Sequence, residues 1–168
     1  MHVTVAPRSS LAQIRGMLAL MRPRQWVKNA FVFAPLIFAG EFLQLESIEK
    51  VALAAMIFCL ASSATYILND LSDIERDRRH PTKSESRPLA SGLVSVPQAI
   101  TLLLVLYAVL LAAWLVMPAV LYVVLGYLLL NLAYTFILKH QPVIDIFTIA
   151  IGFVLRVYAG AMALSVPV

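Results

Sequence analysis

Asn69, Asp70, Asp73 and Asp77 carry the chain's strongest chemical signal. If the apolar helix before them runs on, the three carboxylates follow an i, i+3, i+7 pattern. They then share one helical face, with Asn69 beside them. Carboxylates on one face repel each other, and a divalent cation is the usual compensation. Mg2+ takes hard oxygen ligands, keeps several waters, and bridges one or two carboxylates to substrate phosphates. The cations that follow, Arg76, Arg78, Arg79, Lys83 and Arg87, suit phosphate oxygens, lysine as a point charge and arginine as a two-pronged fork. A solvated charged loop is the plainer alternative. Helical spacing against an apolar segment favours a metal–diphosphate site instead.

The elements that must position these residues are membrane helices. The chain is 61% hydrophobic and 13% charged, about half the charged share of a soluble domain, with mean hydropathy +0.88. A net charge of +4 raises nucleic acid as a partner, but the basic residues sit between apolar spans, as orientation signals do, so that class is excluded. The single cysteine, Cys59, lies in an apolar run and reads as a small packed side chain. Residues 1–25 read as a cytoplasmic N-terminus. Within it Leu11, Ile14, Leu18 and Met21 recur at helical spacing among Arg8, Arg15, Arg22 and Arg24, predicting a helix lying on the membrane surface. Residues 26–168 read as one transmembrane domain, an all-α polytopic bundle of about five spans: 26–43, 51–69, 97–117, 119–138 and 143–164. Trp26 is expected as an interfacial anchor and Pro35 as a kink in the first span. Ser62, Ser63 and Thr65 in the second are expected to permit close helix packing.

Both basic regions, before the first span and between the second and third, belong inside by the positive-inside rule. The N-terminus and the acidic motif then face the cytoplasm, and the C-terminal end of this chain lies outside an inner or plasma membrane.

Other polar residues lie at membrane depth. Lys28 either snorkels to the interface or reaches a diphosphate. Tyr127, Asn131 and Tyr134 form a stripe that either bonds a neighbouring helix or lines a pocket. Lys139 and His140 cap the fourth span, and His140 is given no metal role. Asp145, Ile149, Gly152, Arg156 and Gly160 share a face of the fifth span. Asp145 and Arg156 stand about 16 Å apart along one helix, so each needs a partner on another helix or a ligand. A mid-span arginine is expected to face a polar cavity.

The run N-D-x-x-D-x-x-x-D, with R-P-L-x-S-G following at Arg87–Gly92, resembles the first acidic motif of the UbiA-type intramembrane prenyltransferases. Residues 22–36, R-P-R-Q-W-V-K-N-A-F-V-F-A-P-L, and H-P-T-K at 80–83 are similar to its decaprenyl-phosphate phosphoribosyltransferase branch. The resemblance implies a larger bundle, with further helices and a second acidic or polar motif beyond residue 168, so that this chain is an N-terminal part. It implies a Mg2+-dependent transferase in which Asn69, Asp70, Asp73 and Asp77 hold the metal and the three aspartates are catalytic. Lys28, Asn69, Lys83, Arg87, Tyr134, Lys139, Asp145 and Arg156 are the candidate substrate-binding residues. The implied donor is phosphoribosyl diphosphate and the acceptor a lipid-borne polyprenyl phosphate, decaprenyl phosphate for this branch. A prenyltransferase moving a prenyl chain from its diphosphate to an aromatic acceptor is the alternative, since the acidic motif grips diphosphate in both. A catalytically silent membrane scaffold or fragment is the alternative of another class.

Overall fold

In chain order, α1 (Ser10–Leu20) leads into a 3-10 segment (Pro23–Phe33) continued by α2 (Ala34–Phe38), and then α3 (Leu45–Ser72) descends to the charged region. Two short helices there, α4 (Ile74–Arg79) and α5 (Lys83–Ser86), precede α6 (Val96–Ala113), α7 (Pro118–Ala133), a π-helical turn (Tyr134–Leu138) and α8 (Pro142–Leu164). This computed structural model describes residues 10–138 and 142–165; Arg8, Lys139 and His140 lie outside them. The described residues form an all-helical bundle, as the sequence implies.

Among the described residues four helices are long and apolar enough to cross a membrane: Leu45–Ser72, Val96–Ala113, Pro118–Ile137 and Val143–Leu164. The expected first span, 26–43, is not a fifth. Pro23 opens it and Pro35 interrupts it, and in place of one long α-helix the chain takes eleven residues of 3-10 geometry and one short α-helix. At about 2.0 Å rise per 3-10 residue and 1.5 Å per α residue, Pro23–Phe38 still extends roughly 30 Å, the thickness of a hydrocarbon core. Three residues per turn give the segment distinct faces. Asn29 and Val32 are buried on one, Lys28 and Phe31 lie on the next, and Val27 is 74% exposed on the third. Such long 3-10 stretches are uncommon and tend to mark functional sites or strain.

The neighbouring helix supplies the polar partners this segment needs. Ser63 Oγ on α3 donates to the Met21 carbonyl (2.8 Å) and accepts from Trp26 Nε1 (3.0 Å). Asn29 Nδ2 donates to Ser62 Oγ (3.3 Å) and to Cys59 Sγ (3.2 Å). The small hydroxyl residues of α3 therefore do more than thin its surface. Trp26, expected only as an interfacial anchor, turns its indole N–H inward. On the far side α8 presses against the segment so closely that a Cβ on Gly160 would stand 1.9 Å from the Val32 carbonyl oxygen.

α3 is the hub, touching the 3-10 segment, α6, α7 and α8. One apolar core, around Phe58, Ala61, Val124 and Ala159, joins these elements within the membrane. A second, around Leu20, Ile67, Leu89 and Val94, lies beneath the charged region. α1 contributes Leu20 to that second core, and a Cβ on its Gly16 would meet Leu93 and Val94 at 2.9 Å. Its Leu11, Ile14 and Leu18 stay outward. α6 begins with a capping box, Ser95 accepting from the Gln98 N–H while Gln98 Oε1 accepts from the Ser95 N–H, and Pro97 occupies the first turn.

Candidate active site

The acidic motif straddles a break rather than riding one helix. α3 ends at Ser72, Asp73 leaves helical geometry (φ −103°, ψ 5°), and α4 restarts at Ile74. Backbone bonding carries across, from Asp73 N–H to the Asn69 carbonyl (3.0 Å) and from Asp77 N–H to the Asp73 carbonyl (2.8 Å). Asp70, Asp73 and Asp77 are consequently all buried, and Asn69 stands half-buried beside them. The unbroken helical face expected from the spacing is corrected to a kinked one.

Each carboxylate has a cation. Asp70 Oδ1 accepts from Arg87 Nη1 (2.7 Å) and also from Arg22 Nη2. Asp73 Oδ2 accepts from Arg76 Nη2 (2.6 Å), and Lys83 Nζ stands 3.5 Å from Asp77 Oδ1. Sequence dictates how Arg87 arrives. Pro88 restricts it to extended backbone (φ −90°, ψ 125°), Leu89 plugs the second core, and Gly92 takes the left-handed turn (φ 69°) that sends the chain into α6. Arg22 enters from the other side, itself in left-handed backbone (φ 53°), with its guanidinium 4.7 Å from the centre of the Tyr66 ring.

Among the described residues, no three His, Cys, Asp or Glu side chains form one metal-holding group. Mg2+ needs no such cage, since it takes one or two protein carboxylates and fills its remaining places with water and phosphate. Buried, hard-oxygen aspartates with an amide alongside fit that mode of binding.

Above the motif a cavity of about 160 Å³ opens between the 3-10 segment, α3, α7 and α8. Lys28, Tyr134, Asp145 and Arg156 line it, as do Tyr127 and Asn131, so the polar stripe of α7 faces a pocket. Asn131 Nδ2 also donates to the Tyr127 carbonyl (2.8 Å). Tyr134 sits where α7 turns π-helical, a distortion often found at functional sites, and its hydroxyl faces the Asp145 carboxylate. Arg156 is buried and points inward as expected, and one of its partners lies on another element. Asn29 Oδ1 accepts from Nε (2.8 Å) and the Gly152 carbonyl from Nη1 (2.7 Å).

The structure thus gathers Lys28, Tyr134, Asp145 and Arg156 in the cavity, and Lys83 and Arg87 at the motif. Lys139 lies outside the described residues. Sequence reasoning missed Arg22, Asn29 and Tyr66. In sequence Arg22 reads as a basic flank of the surface helix, an orientation charge and the start of the stretch 22–36, although R-P before an apolar span announces a break. Asn29, an amide at membrane depth, is a signal in its own right.

Residues 30–168 match the UbiA prenyltransferase family. The chain is 41% identical over 170 residues to the decaprenyl-phosphate phosphoribosyltransferase of Mycobacterium tuberculosis H37Rv, covering 98% of this chain and 55% of that protein. It is 39% identical to that of Mycolicibacterium smegmatis (98% and 52%) and 41% identical to that of Corynebacterium glutamicum (95% and 49%). The chain spans about half the length of these relatives. It belongs to the UbiA prenyltransferase family.

Proposed function

We propose that this protein takes part in Mg2+-dependent transfer of a 5-phosphoribosyl group from phosphoribosyl diphosphate to a polyprenyl phosphate, decaprenyl phosphate in the relatives' case. A phosphate oxygen of the acceptor bonds to the ribose anomeric carbon, the bond from that carbon to the diphosphate breaks, and pyrophosphate leaves. The observation that carries this reading is the adjacency of two unlike sites. Three buried carboxylates bracketed by arginine and lysine neighbour a polar cavity walled by Lys28, Tyr134, Asp145 and Arg156, the link being Tyr66, which lines the cavity and lies under the Arg22 guanidinium bonded to Asp70.

Asn69, Asp70, Asp73 and Asp77 would hold Mg2+, which neutralises the departing diphosphate when bound. Lys28, Lys83 and Arg87 offer cations to the remaining phosphate oxygens. Tyr134 and Asp145 present a hydroxyl and a carboxylate to the hydroxyls of a sugar. The acceptor phosphate is already anionic, so no side chain need remove a proton.

Membranes carrying the protein, supplied with Mg2+ and polyprenyl phosphate, are expected to move radiolabel from phosphoribosyl diphosphate into the lipid fraction. Label that moves only from a prenyl diphosphate to an aromatic acceptor would replace this reading with the prenyltransferase one.

Orientation belongs to the same proposal. A reporter inserted within residues 84–86 is expected on the cytoplasmic side and one near Ser47 outside, because the basic residues cluster at the first position. The reverse pattern would put the acidic motif out of reach of cytoplasmic phosphorylated substrates.

A further inference from the structure

We propose that Arg156 is the centre of a second anion site, separate from the acidic motif, that takes a phosphomonoester dianion. The inference rests on the transferase reading above and specifies what the cavity holds. Arg156 is 5% exposed and belongs to a membrane-crossing helix, where an arginine needs a counter-charge or a wet cavity. Its protein neighbours are all neutral: the Asn29 amide oxygen, the Gly152 carbonyl, and the Phe58, Tyr127 and Phe153 rings at 5.2–5.3 Å.

The nearby acids are engaged elsewhere. Asp145 shares the cavity lining and faces the Tyr134 hydroxyl, about 10 Å along α8 from the Gly152 carbonyl that Arg156 reaches, while Asp70, Asp73 and Asp77 hold their own cations. No ion pair to Arg156 occurs among the described residues. Among the described residues the side chain is therefore a buried cation without a paired anion.

A guanidinium has five N–H donors. Asn29 and Gly152 take two, and the Tyr127 hydroxyl is within reach of a third. Nε and Nη1 are the atoms so engaged, and Nη2 is left for the Tyr127 hydroxyl and the cavity that Arg156 lines. The site is built around the fork. Asn29 fixes its plane, and a Cβ at Gly152 would come within 3.2 Å of Nη1, so glycine leaves the room the fork occupies.

Size and charge narrow the ligand. About 160 Å³ is below the usual range for a whole ligand and suits one head group. Lys28 from the 3-10 segment supplies a second cation, so the two outnumber the one carboxylate of Asp145 and favour an anion, and arginine's planar fork matches two oxygens of one phosphate. A diphosphate with its metal needs the acidic motif; a lone phosphate does not. Two components of the proposed reaction carry such a phosphate: the far end of the phosphoribosyl donor, and the head group of the lipid acceptor.

The test is thermal melting of the purified protein in nanodiscs with three probes: ribose 5-phosphate without divalent cation, polyprenyl phosphate in the disc, and pyrophosphate with Mg2+. A rise in melting temperature with ribose 5-phosphate assigns the site to the donor, and a rise with the lipid alone assigns it to the acceptor. Arg156→Gln is expected to weaken the responding phosphate probe by about 10–100-fold, the loss for a hydrogen bond to a charged group, while keeping the Mg2+–pyrophosphate response. Asp73→Asn is expected to do the opposite. Should Arg156→Gln fail to fold, Gly152→Ala crowds the same Nη1 and is expected to weaken the same probe selectively. An unchanged phosphate response in the folded Arg156 variant, or in Gly152→Ala where only that variant folds, overturns the site. So does the absence of any response to both phosphate probes in the parent. Loss of only the Mg2+–pyrophosphate response in the parent would instead count against the transferase reading.

Discussion

Asp73→Asn is expected to lower Mg2+-dependent transfer by about 10²–10³-fold while leaving thermal stability within about 1 kcal/mol of the parent protein. The two halves of that expectation have separate physical grounds. On the structural side, Asp73 joins α3 to α4 through its backbone, which Asn supplies equally well, and Asn is as good as Asp at a helix N-cap. Arg76, the cation bonded to it, is 59% exposed and lies one turn away, so although the carboxylate is buried the pair is screened by solvent and adds about 1 kcal/mol or less. On the chemical side, the substitution removes a buried negative charge beside the point where a diphosphate would depart, and one preorganised electrostatic group is commonly worth that factor. Initial rates at saturating Mg2+ and a melting curve from the same preparation decide it. Near-normal rates would remove Asp73 from the metal site.

The acidic motif was legible because its spacing is local. Residues three, four and seven apart report their neighbours directly, and Asp70, Asp73 and Asp77 are indeed buried together. What the spacing did not carry is the kink at Asp73, since a single residue at φ −103° and ψ 5° leaves the hydrogen bonds on either side intact. The inward face of α8 was legible for a similar reason: a mid-span arginine excludes lipid as its neighbour. Its partner was not, because Asn29 is 127 residues away and no periodicity links them.

The regular α-helical geometry expected of the first span failed at a different level. Apolar content from 26 to 43 reads as a crossing helix whichever local geometry the backbone adopts. The polar side chains that this path turns inward, Trp26 and Asn29, find their partners on α3 at Ser63 and Ser62, and that is a tertiary fact.

Asp70→Asn, in contrast to Asp73→Asn, is expected to cost about 2–4 kcal/mol of stability as well as activity. Asp70 is 3% exposed and a single oxygen of it serves two guanidinia, Arg22 and Arg87, themselves only about a quarter exposed. Neutralising it leaves two cations facing each other in a partly dry site. Removing one partner of a fully buried pair costs about 3–5 kcal/mol, and the residual solvent contact of both arginines reduces that. The loss spreads because each arginine anchors a different piece of chain. Arg22 holds left-handed backbone at the mouth of the 3-10 segment, a conformation costing about 1–3 kcal/mol that its bonding to Asp70 and its stacking on Tyr66 offset. Arg87 opens the turn that seats Leu89 and Val94 in the second core. The coupling is measurable as a double-mutant cycle in detergent melts. Arg87→Gln should cost clearly less in the Asp70→Asn background than in the parent, since its counter-charge is already gone. Strict additivity, or an Asp70→Asn protein that melts like the parent, would mean that Asp70 does not tie these segments together and serves chemistry alone.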